Sequence, residues 1–507
     1  MVRSSGVVLA RNTLYSIATQ IGVSVVAFLS IPILVRGMGE EAFGVLTLVW
    51  MVVGYFSILD FGVGQASVKF LAEHISRGEF DDANSTVWTS VATSTAVGLF
   101  TSVAIVLFMP VLVNGLIAVP MNLRAEVQQS FYWVTLAIPF VMMQGAFRAV
   151  PMAVQRFDMF NLMLGLSGLL QWGGSLALIL LGLGLREIVW LTVAIRLGGA
   201  CLAYIIAVQL FPQLSFRRPM NTKGTMRKLL SFGGWLTISQ AAGPVMRYVD
   251  RLLVASFCSL RLFTYYVVPY EAVSRILVIP LSLSTTLFPA MAERRSTQGV
   301  AEAAMLYKRA TNFTVIAVLP ASIIVAVFSA PILQLWLGGD FPAISSRVFS
   351  VLAIAIFVQS VGYVPVTTLQ AIGKPDVAPK FYVVEIPFYI ALCFVLIPLL
   401  GIEGAAWAWL LRVSVSTGWL LWRTHRNLRM NGFLPFAGTV APGFLFNGVM
   451  LLGLLLIRHL VGSLLVQILL VFAALLLYAV AVWKSCLDVA ERNALQKLAH
   501  GLLRINS

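Results

Sequence analysis

Charge is scarce in this chain. Only 11% of its 507 residues are Asp, Glu, Lys or Arg, against 59% hydrophobic, and the mean hydropathy is +0.92. A soluble domain covers its surface with polar groups, so this composition excludes a soluble enzyme or binding module. Long polar segments are missing too, and no sizeable soluble domain is expected. The four cysteines, Cys201, Cys258, Cys393 and Cys486, show neither metal-ligand spacing nor a disulfide framework. They read as small apolar fillers. Histidines are few and far apart: His74, His425, His459 and His500. No G-x-x-x-x-G-K-[ST] loop is present, which excludes ATP hydrolysis by that route. Asp81-Asp82 in EFDDAN has no globular domain around it and reads as a solvated loop. The chain is expected to be neither an enzyme nor a user of a cofactor or metal.

What the chain has instead is apolar runs of about 20 residues, the length that crosses a bilayer as a helix. Fourteen spans are expected, at 12–35, 43–67, 87–113, 130–150, 158–183, 187–210, 231–256, 262–290, 311–337, 346–371, 381–400, 405–423, 436–458 and 463–484. The first is longer than the core of a signal peptide and is read as a retained membrane helix. The fold class is therefore all-α integral membrane. A net charge of +15 would raise nucleic acid as a partner for a soluble protein. Here the basic residues lie mostly between the runs, so the charge reads as topology and no nucleic acid is expected. One set of connections, with both termini, holds 24 Lys and Arg, Arg148 among them; the alternate set holds six, Arg36, Arg124, Arg186, Arg261, Arg347 and Arg458. The bias places both termini in the cytoplasm.

The most basic connection, PQLSFRRPMNTKGTMRKLL, follows the sixth span. It reads as a linker (212–230) between an N-terminal six-helix lobe (1–211) and a C-terminal one (231–426). An internal repeat supports this. A shift of 220 aligns Gln20 with Gln240, Phe43 with Phe263, and Ala72-Glu73 with Ala292-Glu293. A shift of 218 aligns RFD (156–158) with KPD (374–376), and one of 216 aligns Glu187 and Arg196 with Glu403 and Arg412. Two repeats of six spans share an orientation, related by an axis along the membrane normal, with the solute path between them. Spans 13 and 14 (427–485) lie outside the repeat. The tail (486–507) has leucines spaced for an amphipathic helix on the membrane face or an ordinary solvated one.

Charges inside spans cost roughly 2.5–3.5 kcal/mol each at the bilayer centre, which only a hydrated cavity or a partner offsets. At about 1.5 Å per residue, Arg247 sits about 24 Å into span 7 and Arg275 about 20 Å into span 8. Glu271 lies one turn from Arg275 and is spaced to pair with it. Asp250 and Arg251 lie nearer the outer boundary, where snorkelling competes with a role in a cavity. Arg196 and Arg412 occupy matching places in the two halves, roughly 13 Å inside the membrane. Gln20 and Gln240 match likewise. The candidates to meet solute are thus Arg247, Arg275, Arg196, Arg412, Gln20 and Gln240. Asp60, Asp250 and Glu271 are candidates for ion coupling, and Glu385 is a further buried acid to weigh against helix–helix pairing.

Residues 12–73, NTLYSIATQIGVSVVAFLSIPILVRGMGEEAFGVLTLVWMVVGYFSILDFGVGQASVKFLAE, resemble the N-terminal region of Wzx-type polysaccharide-unit flippases of the multidrug/oligosaccharidyl-lipid/polysaccharide exporter superfamily. RYVDRLLVASFCSLRLFTYYVVPYEAVSRILVIPLSLSTTLFPAMAE (247–293) resembles the matching second-half region, and AIGKPDVAP and GIEGAAWAW also fit. The resemblance implies an inner-membrane protein of two six-helix lobes and two further helices. It implies transfer of a polyprenyl-pyrophosphate-linked oligosaccharide between leaflets by alternating access, with proton or sodium antiport as the drive. Membrane lipids, a polysaccharide polymerase and chain-length proteins are the partners it suggests. A peptidoglycan-precursor flippase, a multidrug or organic-cation exporter, and a membrane polymerase or glycosyltransferase stand as alternatives.

Overall fold

Within hydrocarbon every backbone N–H and C=O must be bonded by the chain itself, and a helix does this inside its own segment. The computed structural model is predominantly helical across the residues it describes: 6–58, 63–111, 113, 115, 117, 119–215, 245–246, 248–430 and 434–485. No strand occurs among them. In chain order the helices are α1 (Gly6–Met38), α2 (Glu40–Ile58), α3 (Val63–Arg77), α4 (Phe80–Val111), α5 (Arg124–Ala153), α6 (Phe157–Leu180) and α7 (Leu185–Leu210). Then follow α8 (248–257), α9 (Leu260–Thr297), α10 (Val300–Val327), α11 (Ser329–Trp336) and α12 (Phe341–Ala371). The last are α13 (Val377–Leu400), α14 (Ile402–Asn427), α15 (Leu434–Leu460) and α16 (Leu464–Ser485).

Eleven of the described helices are long and apolar enough to cross a membrane. The other three expected spans fall on α2, on α14, and on a stretch lying largely outside the described residues. The chain is an all-α membrane protein of about fourteen spans. Some expected boundaries shift. Span 4 runs on to Ala153, so Arg148, counted above with the basic residues of the connections, lies more than a turn inside α5. Span 9 stops at Val327, and α11 follows as a separate eight-residue helix.

Two compact units are present. One comprises residues 1–268 and 379–405, the other 269–378 and 406–507. In the first, α5 packs between α4 and α7, and α1 packs on α6. Both contacts use small residues, which let membrane helices approach closely. A side chain at Gly98 of α4 would lie 2.7 Å from the Pro139 backbone of α5, and one at Gly165 of α6 would lie 2.5 Å from Thr19 of α1. In the second unit α10 packs against α12 and α15, and α15 against α16.

Two of the prolines inside these helices are accommodated by neighbours. A helical proline has no N–H for the carbonyl four residues before it. For Pro139 that carbonyl belongs to Thr135, and Ser102 of α4 donates its hydroxyl to it at 2.8 Å. For Pro320 it belongs to Ile316, and the Tyr478 hydroxyl of α16 donates to it at 3.0 Å. Tyr478 in turn accepts from Asn447 of α15 at 2.9 Å.

Two pairs of helix ends make equivalent backbone hydrogen bonds at the offsets by which the sequence was aligned. After α5, Val154 bonds to Val150 O, Gln155 to Met152 O, and Arg156 to Pro151 O. After α12, Ile372 bonds to Thr368 O, Gly373 to Gln370 O, and Lys374 to Leu369 O, each 218 positions later. Both are Schellman caps with a left-handed residue, Gln155 (φ 59°) or Gly373 (φ 82°). At a shift of 220, the bond from Glu79 N–H to His74 O matches that from Gly299 N–H to Arg294 O.

Candidate functional site

A buried polar cluster lies in the first unit, built from α2, α5, α6 and α7. Its geometry starts with a local irregularity. Helix α6 passes through a π turn at Leu170–Gly174, one residue wider than an α turn. The neighbouring residues Gln171 and Trp172 thereby engage two different helices. Trp172 meets Trp50 of α2 edge-on, with ring centres 4.7 Å apart. Gln171, 6% exposed, turns to α7.

There the fully buried Thr192 forms a hub. Its hydroxyl donates to Ile188 O at 2.9 Å. It accepts from Gln171 Nε2 at 2.9 Å and from Trp50 Nε1 at 3.1 Å. The Gln171 side-chain oxygen, facing the other way, accepts from Arg196 Nη2 at 3.3 Å. Arg196 is thus held by a neutral amide, with its Nε buried and without a hydrogen-bond partner.

A second guanidinium stands nearby. Arg148 of α5 also has a buried Nε without a hydrogen-bond partner, and it lies within the repulsive field of Arg196. Gln144, one turn before Arg148, is 2% exposed and lies where a side chain at Gly199 would strike it at 2.5 Å. Among the described residues no carboxylate pairs with either arginine. Two like charges in one apolar bundle are costly, and an anion is the kind of group that would compensate them.

A second cluster ties the start of α2 to the start of α9. The Glu40 carboxylate accepts from Arg261 Nε and from the Tyr265 hydroxyl, each at 2.6 Å, while Thr264 donates to Glu40 O at 2.6 Å. Beneath them Gly44 has no room for a side chain, which would lie 2.8 Å from Leu260 O. Phe43 and Phe263, which a shift of 220 aligns in the sequence, are both buried here, at 3% and 0% exposed.

The other expected residues are dispersed. Asp250 is 2% exposed and accepts from the Tyr266 hydroxyl at 2.5 Å; Arg251 is 5% exposed and lies 5.6 Å from the Tyr248 ring. Both are therefore buried within the fold and do not snorkel outward. Glu271 and Arg275 make the expected pair at 3.3 Å, where α9 tightens into a 3-10 turn at Arg275–Leu277. Arg412 and Glu385 are buried, and Gln20 is exposed on α1. Asp60, Gln240 and Arg247 lie outside the described residues. Sequence reading found Arg196 but missed Gln171, Thr192, Trp50 and Arg148. For Arg148 the available signal was its helical spacing from Gln144.

Residues 9–294 match the polysaccharide biosynthesis protein family. The chain belongs to that family. Two relatives with comparable coverage accompany the match. A putative O-antigen transporter of Shigella flexneri is 24% identical over 418 residues, covering 80% of this chain and 94% of the relative. The probable low-salt glycan biosynthesis flippase Agl15 of Haloferax volcanii is 23% identical over 430 residues, covering 81% and 82%. Among solved structures, the inward closed conformation of the lipid II flippase MurJ superposes with a TM-score of 0.70 at 13% identity, covering 94% of this chain and 99% of that one. An inward-facing multidrug resistance MATE family transporter superposes at 0.67 and 13% identity, covering 82% and 100%. At these identities the likeness establishes the fold, which this family member shares with both.

Proposed function

We propose that the chain is a flippase that moves a polyprenyl-pyrophosphate-linked oligosaccharide, the repeat unit of a surface or exopolysaccharide, across the bacterial inner membrane. The observation that carries this reading is the pair Arg148 and Arg196, two guanidinia without a carboxylate partner in membrane-embedded helices. A diphosphate supplies the missing negative charge. An exporter of organic cations needs the opposite sign at this place. The family and its relatives support a transporter over an enzyme.

The wider arrangement belongs to the same proposal. Two six-helix lobes, 1–211 and 231–426, are joined by the basic linker 212–230, with helices 427–485 and the tail 486–507 appended. Both termini lie in the cytoplasm. Arg247, Arg275, Arg412, Gln20 and Gln240 contact solute, and Asp60, Asp250 and Glu271 exchange the coupling ion. A polysaccharide polymerase and chain-length proteins act downstream.

The test is flipping of a defined fluorescent polyprenyl-pyrophosphate oligosaccharide in proteoliposomes. Losing one charge-assisted contact of roughly 1.5–3 kcal/mol slows transfer about ten- to hundredfold, so Arg148→Ala and Arg196→Ala should each fall in that range. Wild-type rates in both variants would remove the arginine pair from the path. Absence of flipping by the wild-type protein would overturn the function itself.

A further inference from the structure

We propose that Thr192 and Gln171 are positioning residues that aim Arg196 at the phosphate of the transported lipid, an inference that rests on the flippase reading above. The argument is one of hydrogen-bond valence. A threonine hydroxyl has one proton to give and two lone pairs to receive with. Thr192 gives its proton to Ile188 O at 2.9 Å. Its remaining capacity is filled by donors, Trp50 Nε1 and Gln171 Nε2. An indole nitrogen can only donate. Gln171 is likewise compelled to turn its NH₂ toward Thr192, and its carbonyl oxygen therefore faces Arg196.

The amide orientation follows from the network and not from a choice between look-alike atoms. It matters because the opposite orientation would set an NH₂ group against a guanidinium, donors against donors. The π turn fixes the base of this assembly. Ser175 donates its hydroxyl to Gln171 O at 2.5 Å, and Trp172 is wedged against Trp50. A neutral acceptor suits this task better than a carboxylate. It orients the guanidinium through one nitrogen without cancelling the charge that a phosphate needs.

Thr192→Val keeps the shape of the side chain and removes the hub. Gln171 then loses its reason to face Arg196. In the flipping assay the half-saturating substrate concentration should rise about tenfold, with the maximal rate less affected. Thr192→Ser restores the hydroxyl and should restore the wild-type value. Gln171→Glu, which neutralises Arg196 by pairing, should raise the half-saturating concentration as much as Arg196→Ala does. In the Arg196→Ala background Thr192→Val should add nothing, because the group it positions is gone.

Additive effects of Thr192→Val and Arg196→Ala would overturn positioning. So would a failure of Thr192→Ser to rescue, or an unchanged half-saturation in a Thr192→Val protein present at wild-type level. If Arg196→Ala itself transports like wild type, the assignment of Arg196 to the path fails first and positioning falls with it. If Arg196→Ala is impaired and Thr192→Val is normal, only positioning fails.

Discussion

Thr135 O and Ile316 O show how single residues solve a problem that membrane helices cannot leave open. Each carbonyl loses its helical donor to a proline, and each regains one from a neighbouring helix, Ser102 or Tyr478. A net hydrogen bond contributes about 1 kcal/mol, and leaving the carbonyl unpaired costs somewhat more. Ser102→Ala and Tyr478→Phe should each lower stability by about 1–2 kcal/mol, measured as unfolding in detergent. Thr286→Ala, whose exposed hydroxyl bonds only its own helix at Leu283 O, should change little. The prolines themselves were legible in the sequence. Their partners were not, because hydroxyl residues are frequent in every span and these lie 33 and 162 positions from the carbonyls they satisfy. The same difference separates the site residues. Arg196 stands out as a charge in an apolar run. Thr192 and Gln171 are uncharged, and only the fold reveals that their valences interlock.

At the scale of elements, apolar run length located the spans, since hydrocarbon thickness sets how many residues a helix needs. Irregularities within helices follow from packing and were not visible. The 3-10 turn at Arg275 and the break between α10 and α11 carry no Gly or Pro at the irregular turn itself, and the Gly173-Gly174 pair that closes the π turn of α6 does not distinguish a π turn from an ordinary helical kink. Close helix contacts are more readable after the fact, through glycine. A Cβ at position 98 would meet the Pro139 backbone, which cannot yield, whereas one at 165 would meet a methyl of the Thr19 side chain. Gly98→Val should therefore cost about 1–3 kcal/mol by forcing α4 away from α5. Gly165→Ala should cost less, because Thr19 can change rotamer. Thermal unfolding of the two variants in one detergent gives the comparison, and an equal loss in both would contradict the backbone argument.

At the scale of the whole molecule, two turns 218 positions apart agree in backbone more closely than in side chain. The caps after α5 and α12 make the same three hydrogen bonds in the same register, yet one places Gln155 and the other Gly373 in the left-handed region. That conformation is nearly free for glycine and costs a residue with a Cβ roughly 1 kcal/mol. The turn after α5 therefore carries strain that the turn after α12 avoids, at the same pattern of hydrogen bonds. Gln155→Gly should relieve that strain and leave stability raised by up to about 1 kcal/mol, offset in part by the greater freedom of glycine in the unfolded chain. Gly373→Gln should lower it by a similar amount, and the double exchange should come close to neutral, since the two caps share no partners and their effects add. Unfolding midpoints of the three variants measure this. A cost for Gln155→Gly as large as that for Gly373→Gln would mean that the Gln155 side chain makes a contact worth more than its strain, and that the two turns, alike in hydrogen bonds, are held by different side-chain contacts.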